Sequence, residues 1–265
     1  MGQALSPRFR YKSGFFVQGD VTKPIPVSNP PRMGLLEGKT WQDVQAVVDA
    51  KRLIGLKMKL LLFLRHGEGT HNVAIAQYGS EAWNSYYCKL PEFLDAPLTS
   101  KGIEQAKESS TKLNKEIKNG LHIEHVLISP LERALRTFTI AYQDQSNISS
   151  KPLELPREIL GVDTCDERRS ISEKALQYPE LDFSGFSSNL DPWWTPDHRE
   201  SESEVEARAN KFLDMVFTNI SAGFVGVVSH SVFCAALLRV IDHREYSLGT
   251  AEFLPLLIHE RTSAN

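Results

Sequence analysis

Cysteine is scarce in this chain, and its three copies are far apart in the sequence. Cys88, Cys165 and Cys234 form no CxxC pair, so they suit neither a disulfide framework nor a zinc ligand set. Unpaired thiols are typical of proteins in a reducing compartment, and the first residues contain no apolar signal-peptide region. We therefore expect a cytoplasmic location.

Long apolar runs and an excess of positive charge are also missing. The hydrophobic stretches are well short of the roughly 20 residues that a membrane span requires. The net charge of −3 argues against nonspecific binding of nucleic acid, which needs a strongly basic face. We expect no nucleic-acid partner, and any anion site must be a local cluster of arginine, lysine and histidine.

Two glycine-rich segments do not satisfy the patterns of nucleotide-binding loops. In GLLEGKT, three residues separate Gly34 from Gly38, where a Walker A loop has four, and no hydrophobic strand precedes the segment. Gly67 and Gly69 lack the third glycine of a dinucleotide-binding fingerprint. We interpret both segments as turns.

The first 40 residues are rich in proline, glycine and serine, which predicts an extended N-terminal arm over 1–40 rather than a core element. The first six residues, MGQALS, fit the N-myristoylation pattern at Gly2, and Arg8, Arg10 and Lys12 follow. One acyl chain together with basic residues is sufficient for membrane attachment. If Gly2 is acylated, the protein would make a peripheral contact with a membrane.

Strand and helix patterns alternate after residue 40. Short apolar runs typical of buried parallel strands occur in KMKLLLFLRH, EHVLISP and GFVGVVSHS, and EFLPLLIHE is a fourth apolar run. Amphipathic helices are predicted in TWQDVQAVVDAKRLIG, TSKGIEQAKESSTKLNKEI, LERALRTFTIAYQ and SEVEARANKFLDMVFTNI. This alternation predicts an α/β fold with a largely parallel sheet.

Polar side chains follow three of the apolar runs, where the predicted strands end. Arg65 and His66 end the first, Arg133 lies one turn into the helix after the second, and His230 ends the third. Ligands of parallel α/β sheets bind beyond the carboxyl ends of the strands. Two histidines and two arginines are therefore expected at one edge of the sheet.

A metal site and covalent phosphoryl transfer are two explanations for such a cluster. His66, His71, Glu68 and His230 are candidate metal ligands, but two guanidinium groups would repel a cation. A neutral imidazole can instead attack phosphorus in line, while the arginines bind the phosphoryl oxygens and stabilise their charge. Since the arginines supply the positive field, we expect neither a metal ion nor another cofactor.

The motifs LRHGEG followed by Asn72, PLTSKGIEQA, SPLERALRT and VVSHS resemble those of the histidine phosphatase superfamily, which includes cofactor-dependent phosphoglycerate mutase. Other segments, including PREILGVDTCDERRS, look most like the eukaryotic phosphomutase-like phosphatases. The resemblance implies a phosphoglycerate mutase-like three-layer sandwich, with a largely parallel central sheet flanked by helices. The resemblance covers roughly residues 58–260. We expect a single domain over 41–265, with inserts near 73–97 and 171–200 around the strand ends.

By this resemblance, His66 is the nucleophile, and Arg65, Arg133 and His230 form the phosphate pocket. Asn72 occupies the position of the pocket asparagine in the mutases.

Three further residues lie next to these motif residues in the sequence. Gly69 stands where related mutases often have serine, so only its main-chain N–H is left to contact the substrate. Ser231, next to His230, is added to the substrate-binding residues. His71 has no counterpart as a nucleophile and is interpreted as a structural or supporting residue.

The general acid implied by the resemblance is Glu158 in REILG, with Asp163, Asp166 and Glu167 as nearby rivals. A carboxyl group can donate a proton only when it is protonated, so burial or a neighbouring negative charge should raise the pKa of the true acid.

Together these residues predict a phosphoric monoester hydrolase, namely a metal-independent phosphatase acting on a phosphorylated small molecule through a phosphohistidine on His66. Phosphoglycerate mutase-type phosphoryl transfer and a catalytically silent scaffold of the same fold are the alternatives. Aromatic residues of the inserts, such as Trp83 and Trp194, are predicted to form a substrate lid or to pack on each other. Arg168 and Arg169 are candidates for binding a second anionic group of the substrate.

Overall fold

The computed structural model describes residues 7–261, so Gly2, the candidate acylation site, lies outside the described residues. Within this range the strands β1 to β6 cover Phe9–Tyr11, Met58–Arg65, His125–Ile128, Ser149–Pro152, Phe224–Ser229 and Phe253–Glu260. The helices α1 to α8 cover Trp41–Leu53, Thr70–Tyr78, Ser80–Ser85, Ser100–Lys118, Glu132–Ala141, Ile171–Gln177, Glu202–Asn219 and Ser231–Val240. None of these helices combines the length and the apolar character needed to cross a bilayer.

The strands form a single sheet in the order β1-β6-β2-β5-β3-β4. The four strands β2, β5, β3 and β4 are parallel, whereas β6 and β1 extend one edge in antiparallel orientation. The predicted α/β fold with a largely parallel sheet is confirmed. The register pairs Arg65 with Ser229 and Ile128 with Val228, so β2, β5 and β3 end at the same edge.

The apolar run of β2 supplies both faces of the sheet. Leu60, Leu62 and Leu64 belong to one hydrophobic core, and Leu61 and Phe63 belong to the other. Because successive side chains of a strand point to opposite faces, a strand covered on both faces must be continuously apolar. The helices α1, α4 and α5 line the first core and α7 and α8 the second, through residues such as Trp41, Leu113, Leu135, Phe212 and Phe233. This is the three-layer sandwich that the resemblance implies.

The described part of the N-terminal arm contributes side chains to the core, and the expectation that it does not is wrong. Phe9–Tyr11 pairs with β6, and the buried ring of Phe16 packs 5.9 Å from that of Trp41. The guanidinium of Arg244 holds the following segment by donating to the carbonyl oxygens of Gln18, Asp20, Lys23 and Pro24. A three-residue strand is too short for a periodic sequence signal. The boundary at residue 40 and the single domain after it remain predictions.

Helix boundaries agree with the sequence where a capping residue is present. Thr99 caps α4, because its Oγ1 accepts a hydrogen bond from the N–H of Gly102 at 3.0 Å. The inserts contain α2, α3 and α6, which the sequence does not predict. These helices have nine, six and seven residues, which is too short for a clear amphipathic pattern.

Candidate active site

His66, His230 and Arg133 meet beyond the common edge of β2, β5 and β3. His66 follows β2, and its main-chain N–H donates to the carbonyl oxygen of Ser229 at 3.0 Å. His230 is the N-cap residue of α8, and its ring centroid lies 5.0 Å from that of His66. Arg133, in the first turn of α5, places its Nε 3.3 Å from Nε2 of His66. Three motifs that are distant in the sequence therefore meet in one cluster.

The hydrogen bonds of His66 define its tautomer. Nδ1 lies 2.7 Å from the carbonyl oxygen of Gly67, which can only accept, so Nδ1 carries the proton. Nε2 is then the unprotonated nitrogen, and it accepts from Nε of Arg133. Burial, followed by the charges of Arg133 and Arg65, holds the pKa of His66 well below its ordinary value. The imidazole is thus neutral and has its lone pair on Nε2.

Arg133 is fully buried and connects His66 to a carboxylate. Besides contacting His66, it donates through Nη1 to the carbonyl oxygen of Cys165 at 2.6 Å and through Nη2 to Asp166 at 2.8 Å. A guanidinium has five N–H groups, so three are used here and two are free to bind an anion. Asp166, a rival for the general acid, is the ion-pair partner of this arginine.

Three buried nitrogens around His66 have no hydrogen-bond partner among residues 7–261: Nε of Arg65, Nδ1 of His71 and Nδ1 of His230. Buried polar atoms are normally paired, so such a group of unpaired atoms needs an explanation. Two of these side chains are fixed in position by another of their nitrogens. Nη1 of Arg65 donates to the carbonyl oxygen of Leu248, and Nε2 of His230 contacts Oγ of Ser129. Arg65 Nε is a donor, and each Nδ1 is a donor in the tautomer that protonates it, so these nitrogens are suited to binding an anion.

His71 is closer to the centre of the site than its interpretation as a supporting residue implies. It is 7% exposed, and its ring centroid lies 5.7 Å from that of His66. Burial, followed by the charges of Arg133 and Arg65, holds the pKa of His71 well below its ordinary value. The sequence contains one signal for this placement, namely Gly69, whose missing side chain leaves room for the ring.

The main-chain N–H of Gly69 is not free for a ligand, contrary to expectation. It donates to Oδ1 of Asn72 at 2.9 Å, at the start of α2. The first N–H groups of a helix lack partners within the helix, and a nearby side-chain oxygen often accepts from one of them. This bond directs the carboxamide of Asn72, whose Nδ2 donates to no described residue and is available to an anion.

The side chain of Glu158 lies at the N-terminus of α8, the helix that begins directly after His230. Its carboxylate accepts from the main-chain N–H groups of Val232 at 3.1 Å and Phe233 at 3.3 Å, and from Oγ of Ser231 at 3.3 Å. Burial, followed by the charge of Asp166, raises the pKa of Glu158 above its ordinary value. Ser231 therefore contacts the candidate acid, and its role in substrate binding stays a prediction.

The rivals of Glu158 have other partners. Asp166 is paired with Arg133 and lies 3.4 Å from Arg199, and Asp163 lies 3.2 Å from the same Arg199. Burial raises the pKa values of Asp163 and Glu167, and Glu167 is only partly buried. Among the four carboxylates, Glu158 contacts the helix that His230 begins.

Trp83 of the first insert and Trp194 of the second both contact Asp163, in the loop between the two inserts. Their arrangement as a substrate lid or as a pair packed on each other stays a prediction. Nε1 of Trp83 in the first insert donates to the Asp163 carboxylate at 3.2 Å. Nε1 of Trp194 in the second donates to the Asp163 carbonyl oxygen at 2.9 Å. Both aromatic side chains are thus connected to the loop that also carries Asp166.

The proposed anion-binding role of Arg168 is wrong. Its guanidinium is buried and donates to Glu154 and to the carbonyl oxygens of Arg169, Ser188, Asn189 and Leu190. It therefore holds the second insert in place. Arg169 makes one side-chain bond, to the carbonyl oxygen of Leu94 at 3.3 Å, and its role stays a prediction.

One group of residues in the described range has the spacing of metal ligands, with atoms of Asp163, Cys165 and Asp166 within 4.8 Å of one another. Both carboxylates are paired with arginines, and burial raises the pKa of the Cys165 thiol well above its ordinary value. Metals bind the thiolate, so this group is poorly suited to a cation.

Comparison with known proteins agrees with this geometry. Residues 61–252 match the family model described as histidine phosphatase superfamily (branch 1). A probable phosphoglycerate mutase of Arthroderma benhamiae is 38% identical over 217 residues, covering 77% of this chain and 65% of that protein. Phosphomutase-like protein 3 of Candida albicans is 27% identical and covers 95% of this chain and 80% of its own length.

A plant relative and a solved structure extend the comparison. Phosphoglycerate mutase-like protein 1 of Arabidopsis thaliana is 32% identical, covering 71% of this chain and 73% of that protein. The crystal structure of phosphoglycerate mutase from Bacillus anthracis has a TM-score of 0.51 at 19% identity and covers 76% of this chain and 88% of its own. That likeness supports the phosphoglycerate mutase-like fold. The chain belongs to branch 1 of the histidine phosphatase superfamily.

Proposed function

We propose that this protein is a metal-independent phosphatase that hydrolyses phosphomonoesters of small molecules through a phosphohistidine on His66. The observation that carries the proposal is the state of His66: Nδ1 is protonated and bonded to Gly67, and the unprotonated Nε2 faces Arg133. A neutral imidazole with a directed lone pair is the form that attacks phosphorus. The unpaired nitrogens of Arg65, His71 and His230 supply donors for the phosphoryl oxygens.

In the first step, Nε2 of His66 forms a bond to phosphorus while the bond from phosphorus to the leaving oxygen breaks. Glu158 gives its proton to that oxygen, and the guanidinium groups of Arg65 and Arg133 balance the charge on the phosphoryl oxygens. In the second step, water attacks phosphorus, the N–P bond breaks, and the proton of the water returns to Glu158. Inorganic phosphate leaves and the enzyme is restored.

Substrate binding requires a local rearrangement, because His66 is 1% exposed and its Nε2 is occupied by Arg133. The guanidinium must move from Nε2 towards the phosphoryl oxygens, where its two unused N–H groups can bind. The ion pair of Arg133 with Asp166 and its bond to the Cys165 carbonyl oxygen restrain this movement.

Phosphoglycerate mutase-type transfer is the second candidate, since the related fungal protein is named a probable phosphoglycerate mutase. A mutase returns the phosphoryl group to a substrate hydroxyl, whereas a phosphatase passes it to water. The two activities therefore share the phosphohistidine and differ in the acceptor.

The test is a trapping experiment with 32P-labelled substrate in EDTA, followed by hydrolysis of 4-nitrophenyl phosphate. We expect an acid-labile label on the wild type, none on His66→Ala, and retention of both label and turnover in His122→Ala, which changes an exposed histidine. Transfer of the label to phosphoglycerate instead of water would establish mutase activity. Absence of both label and hydrolysis in the wild type would leave the catalytically silent scaffold.

A further inference from the structure

A cavity of about 630 Å³ begins at the candidate active site. Two of its lining residues are Arg65, which precedes His66, and Ser231, which follows His230. Nη1 of Arg65 donates to the carbonyl oxygen of Leu248, and Oγ of Ser231 donates to Glu158. The cavity therefore lies beside Arg65, a candidate phosphate donor, and beside the Ser231 hydroxyl that contacts the candidate acid.

The wall of this cavity is largely apolar. Helix α8 contributes Val232, Ala235 and Leu238, and the segment after it contributes Tyr246 and Leu248. Such a surface favours burial of an organic group, at about 25 cal/mol per Å² of apolar area.

The N-terminal arm completes the rim of the cavity through Ile25, which is 60% exposed. The arm is held on both sides of this residue. Arg244 binds the carbonyl oxygens of Lys23 and Pro24, and Glu252 accepts from the main-chain N–H of Asn29 at 2.7 Å. Ile25 is therefore a positioned part of the rim.

The charges of the cavity disfavour a second anionic group. Glu202 and Glu245 line it, and neither has an ion-pair partner within residues 7–261. Arg239 also lines it, but its charge is balanced by Glu206. Beyond Arg65 the cavity therefore has two carboxylates and no unbalanced cation. Both carboxylates are exposed, so their repulsion of a nearby anionic group is screened by solvent and modest.

We infer that this cavity binds the leaving group of the substrate, and that this group is partly apolar and either neutral or cationic. A substrate with a carboxylate or a second phosphate beside the reacting phosphomonoester would place that charge near Glu202 and Glu245. This inference rests on the proposed phosphatase function and names its substrate class.

The test uses three phenyl phosphates that differ in one remote group: 4-(carbamoylmethyl)phenyl, 4-(aminomethyl)phenyl and 4-(carboxymethyl)phenyl phosphate. The methylene group keeps the leaving phenols similar, so the comparison reports on binding. We expect kcat/KM for the neutral and cationic substrates to exceed that for the carboxylate by about threefold or more.

Two variants connect the preference to the cavity. Glu245→Lys should narrow the difference between the carbamoyl and carboxylate substrates several-fold, whereas Glu108→Lys, an equal charge change on the exposed surface of α4, should leave it unchanged. Ala235→Trp should fill the cavity and reduce kcat/KM for the carbamoyl substrate about tenfold or more, while inhibition by inorganic phosphate stays as in the wild type.

The outcomes separate this inference from the function on which it rests. Equal kcat/KM for the three substrates, a preference for the carboxylate, or an unchanged ratio in Glu245→Lys would overturn the substrate class while the phosphatase assignment stands. No hydrolysis of any of them, or full activity in His66→Ala, would overturn both.

Discussion

A side chain at position 69 would collide with His71. A Cβ atom built on Gly69 would lie 2.7 Å from both Nδ1 and Cε1 of the His71 ring, a distance that real Cβ contacts essentially never show. The glycine thus keeps free the space beside His66 that the second imidazole occupies. Serine, which related mutases often have at this position, cannot share that space with His71.

Gly69→Ser should therefore impair the site by displacing His71. We expect a decrease of about tenfold or more in kcat/KM for 4-nitrophenyl phosphate, because the ring and its unpaired Nδ1 would be forced away from the anion. The double variant Gly69→Ser/His71→Ala removes the collision and should recover part of this loss, with the new hydroxyl as a donor.

The matched control for this substitution is Gly185→Ser, where a new Cβ would meet only the Lys151 side chain at an ordinary 3.4 Å. It should have wild-type kinetics. A double variant no better than Gly69→Ser alone would show that the collision with His71 is not the cause of the loss.

Stability should depend on pH through the buried histidines. Burial and nearby arginines hold the pKa values of His66, His71 and His230 well below the ordinary value. The unfolded chain then binds more protons than the folded one as the pH falls below about 6.5, so the free energy of unfolding should decrease as the pH is lowered from 7 towards 5. Urea unfolding at several pH values measures this slope.

The histidine contribution is isolated by comparing variants. His71→Asn should reduce the slope between pH 7 and 5, whereas His122→Asn, at an exposed position, should not. Glu158 acts in the opposite sense. Because its pKa is raised in the folded chain, the folded chain binds more protons than the unfolded chain at pH values above the ordinary pKa of glutamate. This effect is shared by the wild type and the variants. An unchanged slope in His71→Asn would contradict the assignment.

The role of Glu158 can be tested by the leaving group. Glu158→Gln keeps the hydrogen bonds that a carboxamide oxygen can accept from Val232 and Phe233, but it has no proton to donate. We expect a decrease of about 100-fold or more in kcat for alkyl phosphates and a much smaller one for 4-nitrophenyl phosphate, whose leaving group needs no protonation. Steady-state kinetics on both substrates measure the difference.

Glu167→Gln is the control for Glu158→Gln, because Glu167 is a rival carboxylate that is only partly buried. It should affect both substrates little. Equal losses on both substrates in Glu158→Gln would assign Glu158 a structural role at the N-terminus of α8.

Removal of metal ions should leave activity unchanged, since Arg65 and Arg133 supply the charge that a metal would provide. We expect the same kcat/KM after dialysis against EDTA as before it. A loss that Mg²⁺ or Zn²⁺ restores would contradict the metal-independent mechanism. A parallel measurement of unfolding in urea distinguishes an effect on the site from an effect on the fold.

The sequence by itself determines the central strands of the sheet and the motif residues that lie at their ends. The continuous apolar runs of β2, β3 and β5 can be buried only when both faces are covered, and parallel strands of this kind bring Arg65 and His230 to the same edge. Local signals such as the Thr99 cap likewise act over a few residues, and the structure retains them.

The tertiary structure decides which side chains share the site and which are already engaged. The contact of His71 with the cluster, the pairing of Arg133 with Asp166 and the use of Arg168 by the second insert each depend on packing between segments that are distant in sequence. Donors and acceptors are assigned only when the chain has folded, because each buried polar atom then takes whichever partner lies within about 3 Å. The motifs therefore predict the chemistry at the sheet edge, and the folded chain determines which donors remain for a phosphate.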